Sequence, residues 1–251
     1  MKIKWIKTNL SPIQRICLAG LFTALAVIMQ KVVAVNYIPV LPFVRVSFCG
    51  PALIIFASIL LGPIYGALVG AASDLLGYLV FDPRTYPPFF QITLIYALLG
   101  LGSYFVFSLV RSIKNKKLMA VVEIATLSLI WIAATLFLVF NQQVQFVFKL
   151  VVPIVSGLLF IGLILFSLLY KGKENDPFIS PLHICFASFV CDFLFLLLFG
   201  SLMKACAFGF DIFVTIFLCQ ALVMFVNVVL DTLFISTFQK FTKKYFIEVK
   251  L

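Results

Sequence analysis

Long apolar segments recur along the whole chain, and they constrain the fold more than any other feature. An α-helix needs about twenty apolar residues to cross the ~30 Å hydrocarbon core of a bilayer. The chain has 251 residues, of which 64% are hydrophobic and 11% are charged. A soluble domain of this length cannot bury so much apolar surface. The sequence therefore predicts an all-α integral membrane protein that lies in the lipid bilayer.

Eight apolar segments qualify as transmembrane helices. Their separation is weakest at Gly62–Pro63 and at 141–148, which gives a range of seven to nine spans. The predicted spans are 13–31, 45–62, 64–81, 89–110, 118–140, 149–170, 181–200 and 212–237.

The distribution of Lys and Arg predicts the orientation. With the N-terminus in the cytoplasm, fourteen of the 19 basic residues fall on the cytoplasmic side, which is the bias expected of membrane proteins. Eight spans then leave both termini in the cytoplasm. The net charge of +10 follows from this bias and does not predict nucleic-acid binding. The first apolar segment is too long for a signal peptide and lacks a small-residue cleavage site, so we expect it to be retained.

The motifs of several enzyme classes are absent from the sequence. It contains no GxxxxGK[ST], HExxH or GxSxG pattern, and these patterns bind nucleotide phosphates, hold zinc or present a nucleophile. The six cysteines are scattered without a CxxC pair, and the single histidine, His183, is expected to be a packing residue. We therefore predict no enzyme, no catalytic residue, no metal site and no cofactor.

The third span, GPIYGALVGAASDLLGYLV, combines small residues with a carboxylate. Gly66, Gly70 and Asp74 are four apart, with Ser73 and Gly77 close to them on the same helical face. Small residues let membrane helices approach closely. A carboxylate near the membrane centre must face the bundle and find a partner. Asp74 is therefore expected to point inward, either to a substrate or to a neighbouring helix.

Two outer loops share an unusual chemistry. The sequences FDPRTYPPFFQ and KVVAVNYIPVLPFVR each combine prolines, aromatic residues and arginine. Prolines stiffen a loop, while arginine and aromatic rings suit a flat, acidic, heteroaromatic ligand. A membrane-interface aromatic belt is the alternative. Together the loops predict a lid over a cavity on the outer face.

Polar residues also occur in the last two spans. Gln220 and Asn227 are seven apart on one face, where their amides can bond a ligand ring or a neighbouring helix. Asp192 lies deep in its span and needs a buried partner. Asp231 is placed near the inner surface, and we expect it to reach water there.

The order of these motifs resembles a known family. The run from Val44 to Phe105 is similar to the substrate-binding (S) component of energy-coupling factor (ECF) vitamin transporters, most of all to the folate-specific branch. The resemblance covers residues 13 to 108, and Ser47 replaces a glycine of the family pattern. The matching positions are Arg45, Leu61–Pro63, Gly66, Gly70, Asp74–Gly77, Tyr86, Pro88 and Phe90.

The resemblance implies a six-helix bundle that takes a vitamin from outside and docks on a membrane coupling subunit and two cytoplasmic ATPases. The chain has more spans than six, so we predict a single transmembrane domain, 1–251, with a core of 11–112 and 178–240. The inserted transmembrane hairpin, 118–170, is expected to be peripheral packing or a partner contact. Its Glu123 is expected to reach Lys114, Lys116 and Lys117 at the inner surface.

The function predicted on this basis is uptake of folate or a derivative into a bacterial cell across the plasma membrane. Pantothenate, thiamine or riboflavin are alternatives within the class, and a structural or lipid-interacting membrane protein is the alternative outside it. Arg45 and Arg84 are predicted to bind ligand carboxylates. The residues predicted to cover the ligand or bond its polar edges are Tyr37, Tyr86, Phe89, Phe90, Asp74, Gln91, Gln220 and Asn227.

The first helix carries the predicted docking surface for the coupling subunit. Gly20 and Ala24 are four apart, with Ala19 and Thr23 alongside. In the family that the chain resembles, an alanine-x-x-x-alanine pattern of the first helix contacts the coupling subunit. Packing within the bundle is the alternative role of these residues.

Overall fold

The computed structural model describes residues 10–33, 49–81, 90–113, 115–140, 146–169, 181–209 and 213–245. Within these ranges the chain is helical and contains no β-strand, which confirms the predicted all-α class. The helices are α1 Pro12–Lys31, α2 Gly50–Leu61, α3 Pro63–Phe81, α4 Phe90–Arg111, α5 Lys116–Phe140, α6 Phe146–Leu169, α7 Pro181–Cys191, α8 Gly200–Phe208 and α9 Phe213–Tyr245, with a π-helical segment, Asp192–Phe199, between α7 and α8.

Within the described ranges, six helices are long and apolar enough to cross a membrane. One of them, Leu182–Cys206, runs through α7, the π-helical segment and α8 without a break. The two remaining apolar helices, α2 and the Pro153–Gly162 part of α6, are shorter. Each of the eight predicted spans therefore coincides with a helix, and the chain is a multi-pass membrane protein.

The start of α1 is determined by local sequence. The backbone N–H of Gln14 donates to Ser11 Oγ over 3.3 Å, and the Ser11 N–H donates to Gln14 Oε1 over 2.9 Å. This reciprocal capping satisfies two of the N–H groups that a helix leaves unbonded at its start. Pro12 follows at the first helical position, where its missing N–H costs nothing.

Helix α2 is short and central. Eleven of its 12 residues are buried, and it packs against α1, α3, α4 and α9. Its length of about 18 Å is well below the ~30 Å of the hydrocarbon core. The predicted span began at residue 45, whereas the helix begins at Gly50, because Cys49 has a left-handed φ of 56° that no right-handed helix includes. One end of α2 therefore lies inside the bundle.

Helices α3 and α4 cross with their backbones in contact. A Cβ atom added to Gly66 would lie 2.7 Å from the Gly100 carbonyl oxygen, and one added to Gly70 would meet the Tyr96 carbonyl. The small residues of α3 thus allow the close approach that drives helix association in membranes. The same crossing fixes where Asp74, one turn beyond Gly70, meets α4.

Helices α5 and α6 form a hairpin that packs on α7 and α9. Within the hairpin, Trp131 Nε1 donates to Ser156 Oγ over 3.0 Å. The end of α4 and the start of α7, between which the hairpin is inserted, contact each other. His183 Nε2 lies 3.2 Å from the Ile113 carbonyl oxygen. A second apolar cluster, separate from the one around α2, joins the hairpin to α7 and α9 and includes Leu127, Ala134, Leu138, Phe189, Phe225 and Val228.

Candidate functional site

Four buried polar side chains lie in the interior where α7 and the π-helical segment pack against α9. Ser188 and the fully buried Asp192 are four residues apart on one helical face, as are Asn227 and the fully buried Asp231. Residues at this spacing lie one turn apart on the same side of a helix. The carboxyl groups of Asp192 and Asp231 are electrostatic neighbours, so the two faces come together. We call these four residues the acidic cluster.

The acidic cluster is rich in unbonded acceptors. Both carboxyl oxygens of Asp192 and of Asp231, together with Asn227 Oδ1 and Ser188 Oγ, have no hydrogen-bond partner among the described residues. A buried polar group without a partner costs on the order of 1–3 kcal/mol, and a charged one more. A molecule that brings N–H or O–H donors would satisfy these oxygens, so the cluster is suited to a donor-rich ligand.

The N-terminus of α2 faces this cluster. The Ala52 N–H, in the first turn of α2, points toward Asp231 without forming a hydrogen bond of standard geometry. No side chain caps α2 at Cys49. The first N–H groups of a helix carry partial positive charge that favours a nearby carboxylate. The N-terminus of α2 therefore adjoins the acidic cluster at Asp231.

Gln30 closes the same region from α1. Its side chain lies against the first residue of α2, where Gly50 has no Cβ that would collide with it. Gln30 is buried, and its Nε2 has no hydrogen-bond partner among the described residues. A buried donor of α1 therefore lies beside the end of α2 that adjoins the acidic cluster. A ligand with one carbonyl and several donors matches that arrangement.

A second polar group lies further along α8 and α9. We assign the Gln220 amide so that its Nε2 donates to Ser201 Oγ over 2.8 Å and its Oε1 accepts from Lys204 Nζ. Gln220 therefore joins α9 to α8, which is the interhelical role left open by the sequence. Asn227, two turns further along α9 and 8% exposed, lies in the acidic cluster instead.

Asp74 on α3 accepts a hydrogen bond from the neighbouring helix α4. Thr93 Oγ1 donates to Asp74 Oδ2 over 2.6 Å and so connects α4 to α3. Phe90 and Gln91 begin α4, and both are exposed. The remaining predicted ligand residues, Tyr37, Arg45, Arg84, Tyr86 and Phe89, lie outside the described residues.

The four predicted docking residues divide between two sides of α1. Thr23 is buried and donates to the Ala19 carbonyl over 2.8 Å. Gly20 and Ala24 are exposed, and a Cβ atom added to Gly20 would meet nothing within 4 Å. Gly20 and Ala24 therefore lie on a face of α1 that other described residues of the chain leave uncovered.

Two sequence expectations about carboxylates were wrong. Asp231 is fully buried and does not reach water, because α9 continues to Tyr245 and places Asp231 in the interior. Glu123 is 1% exposed and accepts a hydrogen bond from Cys185 Sγ over 3.0 Å. It faces α7, because its position on the helix face decides its neighbours. The side chains of Lys114, Lys116 and Lys117, which it was expected to reach, lie outside the described residues.

Sequence reasoning missed the acidic cluster as a unit. The signal was present as two pairs of polar residues, Ser188/Asp192 and Asn227/Asp231, each four apart within an apolar span. Polar residues inside membrane helices face protein or a cavity because lipid cannot satisfy them. Recognition that the two pairs face each other required the packing of α7 on α9.

The fold and the cluster define a multi-pass helical membrane protein with a buried polar site suited to a small ligand. A family model, "ECF-type riboflavin transporter, S component", matches residues 11–175, about two thirds of the chain. The chain belongs to this family, and hence to the substrate-binding subunits of ECF vitamin transporters. The match runs from α1 to α6, while α7 and α9 supply the acidic cluster. No curated protein and no solved structure matches the chain.

Proposed function

We propose that the chain captures riboflavin or a closely related flavin from outside the cell for ATP-driven uptake. Two observations support this substrate. The family that the chain belongs to is named for riboflavin, and the acidic cluster offers buried acceptors to a donor-rich ligand. Riboflavin carries a polyol chain and a ring with an imide N–H and carbonyl groups, so its donors match the acidic cluster and a carbonyl matches Gln30 Nε2.

Folate is the second candidate, and the outer loops favour it. A pterin ring also presents N–H donors, while the carboxylates of folate need cations. The acidic cluster would repel those carboxylates, so they would have to reach Arg45 and Arg84 in the predicted lid. Tyr37, Tyr86, Phe89 and Phe90 are suited to stack on either ring, and Gln91 to bond its edge. Both candidates would therefore place ring donors at the acidic cluster. They differ at the predicted lid, where only folate needs cations for its carboxylates.

Titration of the purified chain with each vitamin separates the two candidates. We expect riboflavin to bind at least 100-fold more tightly than folate, measured by quenching of flavin fluorescence and by calorimetry in the same detergent. A tighter complex with folate would overturn the substrate assignment and retain the transporter class. Thiamine and pantothenate are included as further vitamins of the class.

We propose the following division of the chain. Residues 11–112 and 178–240 form the binding core of a single domain, 1–251, and 118–170 are an inserted hairpin. The contact between His183 and Ile113 supports it, because the core helices α4 and α7 meet directly where the hairpin begins and ends. A peripheral hairpin predicts that variants of its buried Glu123 stay folded, which thermal unfolding measures.

We also propose the arrangement of the transporter around this chain. Both termini lie in the cytoplasm, on the side where the basic residues concentrate. The energy comes from two cytoplasmic ATPase subunits through a membrane coupling subunit, and the chain itself hydrolyses no ATP. The exposed Gly20 and Ala24 of α1 are the proposed contact with that subunit, since small residues let a second helix approach.

A further inference from the structure

Glu123 on the hairpin is buried in a place where a hairpin that merely packs would carry an apolar residue. It is 1% exposed, and its Oε2 has no hydrogen-bond partner among the described residues. Around it on α5 lie apolar residues that contact α7 and α9. A carboxyl inside a membrane protein is costly, and such residues usually mark function.

The contacts of Glu123 lead from the hairpin to the acidic cluster. Cys185 Sγ on α7 donates to Glu123 Oε1 over 3.0 Å. The same thiol lies beside Thr232 on α9, whose hydroxyl donates to the Val228 carbonyl over 2.7 Å. Thr232 is buried and adjoins Asp231 in the chain. Three helices are thus joined by polar groups at the turn of α9 that carries Asp231.

Apolar packing alone does little to fix the rotation of a helix in a membrane, so the polar contacts of that turn determine where Asp231 lies. Lipid chains are as apolar as leucine, so polar contacts and close packing fix how helices are rotated. Asp231 lies between the Asp192 carboxyl and the Ala52 N–H. A small rotation of α9 would move Asp231 away from the N-terminus of α2 and change the spacing of the acceptors.

We propose that Glu123 is a positioning residue for the ligand site: through Cys185 and Thr232 the hairpin holds the α9 turn that presents Asp231. This inference rests on the proposed function, because it takes the acidic cluster as the vitamin site. It gives the hairpin a role beyond packing. The hairpin then acts on ligand affinity without contacting the ligand.

The test compares riboflavin affinity among variants of the full chain. Glu123→Leu should weaken binding about tenfold, whereas Glu123→Gln, whose carbonyl can still accept from Cys185, should stay within about threefold. The matched control is Ser156→Ala, which removes a buried hydrogen-bonding group whose partner, Trp131, belongs to the hairpin itself. We expect the control to bind riboflavin like the unaltered chain.

A double-mutant cycle separates positioning from general stability. If Glu123 acts through Thr232, Thr232→Val should weaken binding less in the Glu123→Leu background than alone, because contacting residues are not additive. Cys185→Ala interrupts the same link from the side of α7 and tests it independently of Glu123.

Unchanged riboflavin affinity in folded Glu123→Leu or Cys185→Ala protein would overturn the inference, and so would equal weakening by Gln and Leu. Additive effects in the cycle would overturn the route through Thr232. Failure of the unaltered chain to bind riboflavin is a different result. It would overturn the proposed substrate, and the positioning role with it.

Discussion

Replacing Asp231 with alanine should lower riboflavin affinity about 100-fold while leaving the unliganded protein at least as stable. Without Asp231 the ligand donors that it accepts from are left buried and unbonded, which costs on the order of 3 kcal/mol and corresponds to about 100-fold in Kd. The free energy of unfolding of the unliganded protein should stay the same or rise. Asp231 is fully buried and has no hydrogen-bond partner among the described residues. Removing a buried polar group that has no partner removes the cost of burying it.

The opposite signs of these two effects distinguish a binding residue from a structural one. Affinity is measured by titration with riboflavin, and stability by the midpoint of thermal unfolding without ligand. Ser103→Ala is the matched control, because Ser103 is equally buried and its one hydrogen bond among the described residues goes to the Gly100 carbonyl of its own helix, over 3.2 Å. An Asp231→Ala protein that unfolds at a lower temperature and still binds riboflavin normally would contradict the assignment.

Replacing Gly20 with tryptophan should abolish ATP-driven uptake and leave vitamin binding intact. Gly20 is exposed on α1, and a Cβ added there would meet no atom within 4 Å. Tryptophan therefore fits without disturbing this chain. Between two membrane helices, however, its bulk prevents the close approach that small residues allow.

Uptake is measured in proteoliposomes that contain the coupling and ATPase subunits, and binding by titration of the isolated chain. Leu129→Trp on the hairpin is the control, since Leu129 is 71% exposed on α5, whereas α1 packs on α2 and α3. We expect the control to transport normally. Loss of binding together with uptake in Gly20→Trp would show that this face of α1 packs within the chain.

The helices were predictable because apolar length is a local property. Each predicted span coincides with a helix, and the glycines of α3 proved to be packing residues as their spacing indicated. The late start of α2 was not predictable, because it depends on the left-handed backbone of Cys49. Nor was the π-helical segment that begins at Asp192, since its other residues are as apolar as those of an ordinary helix.

The site was less predictable because it depends on which helix faces which. Gln220 and Asn227 share a face of α9, yet one joins α8 and the other lies in the acidic cluster. Glu123 has lysines close in sequence but Cys185 close in space. The lid residues Arg45 and Arg84 remain predictions. The polar pairs in α7 and α9 were visible in the sequence, while their meeting at the N-terminus of α2 is a product of the packing.

The most direct test of the central claim is the absorption spectrum of the unaltered chain, purified in detergent from cells that supply riboflavin and freed of unbound vitamin. A substrate-binding subunit with a buried site releases its ligand slowly, so we expect about one flavin per chain, quantified after denaturation. A protein that carries no vitamin, either as purified or after incubation with the vitamins of the class and gel filtration, would contradict the account.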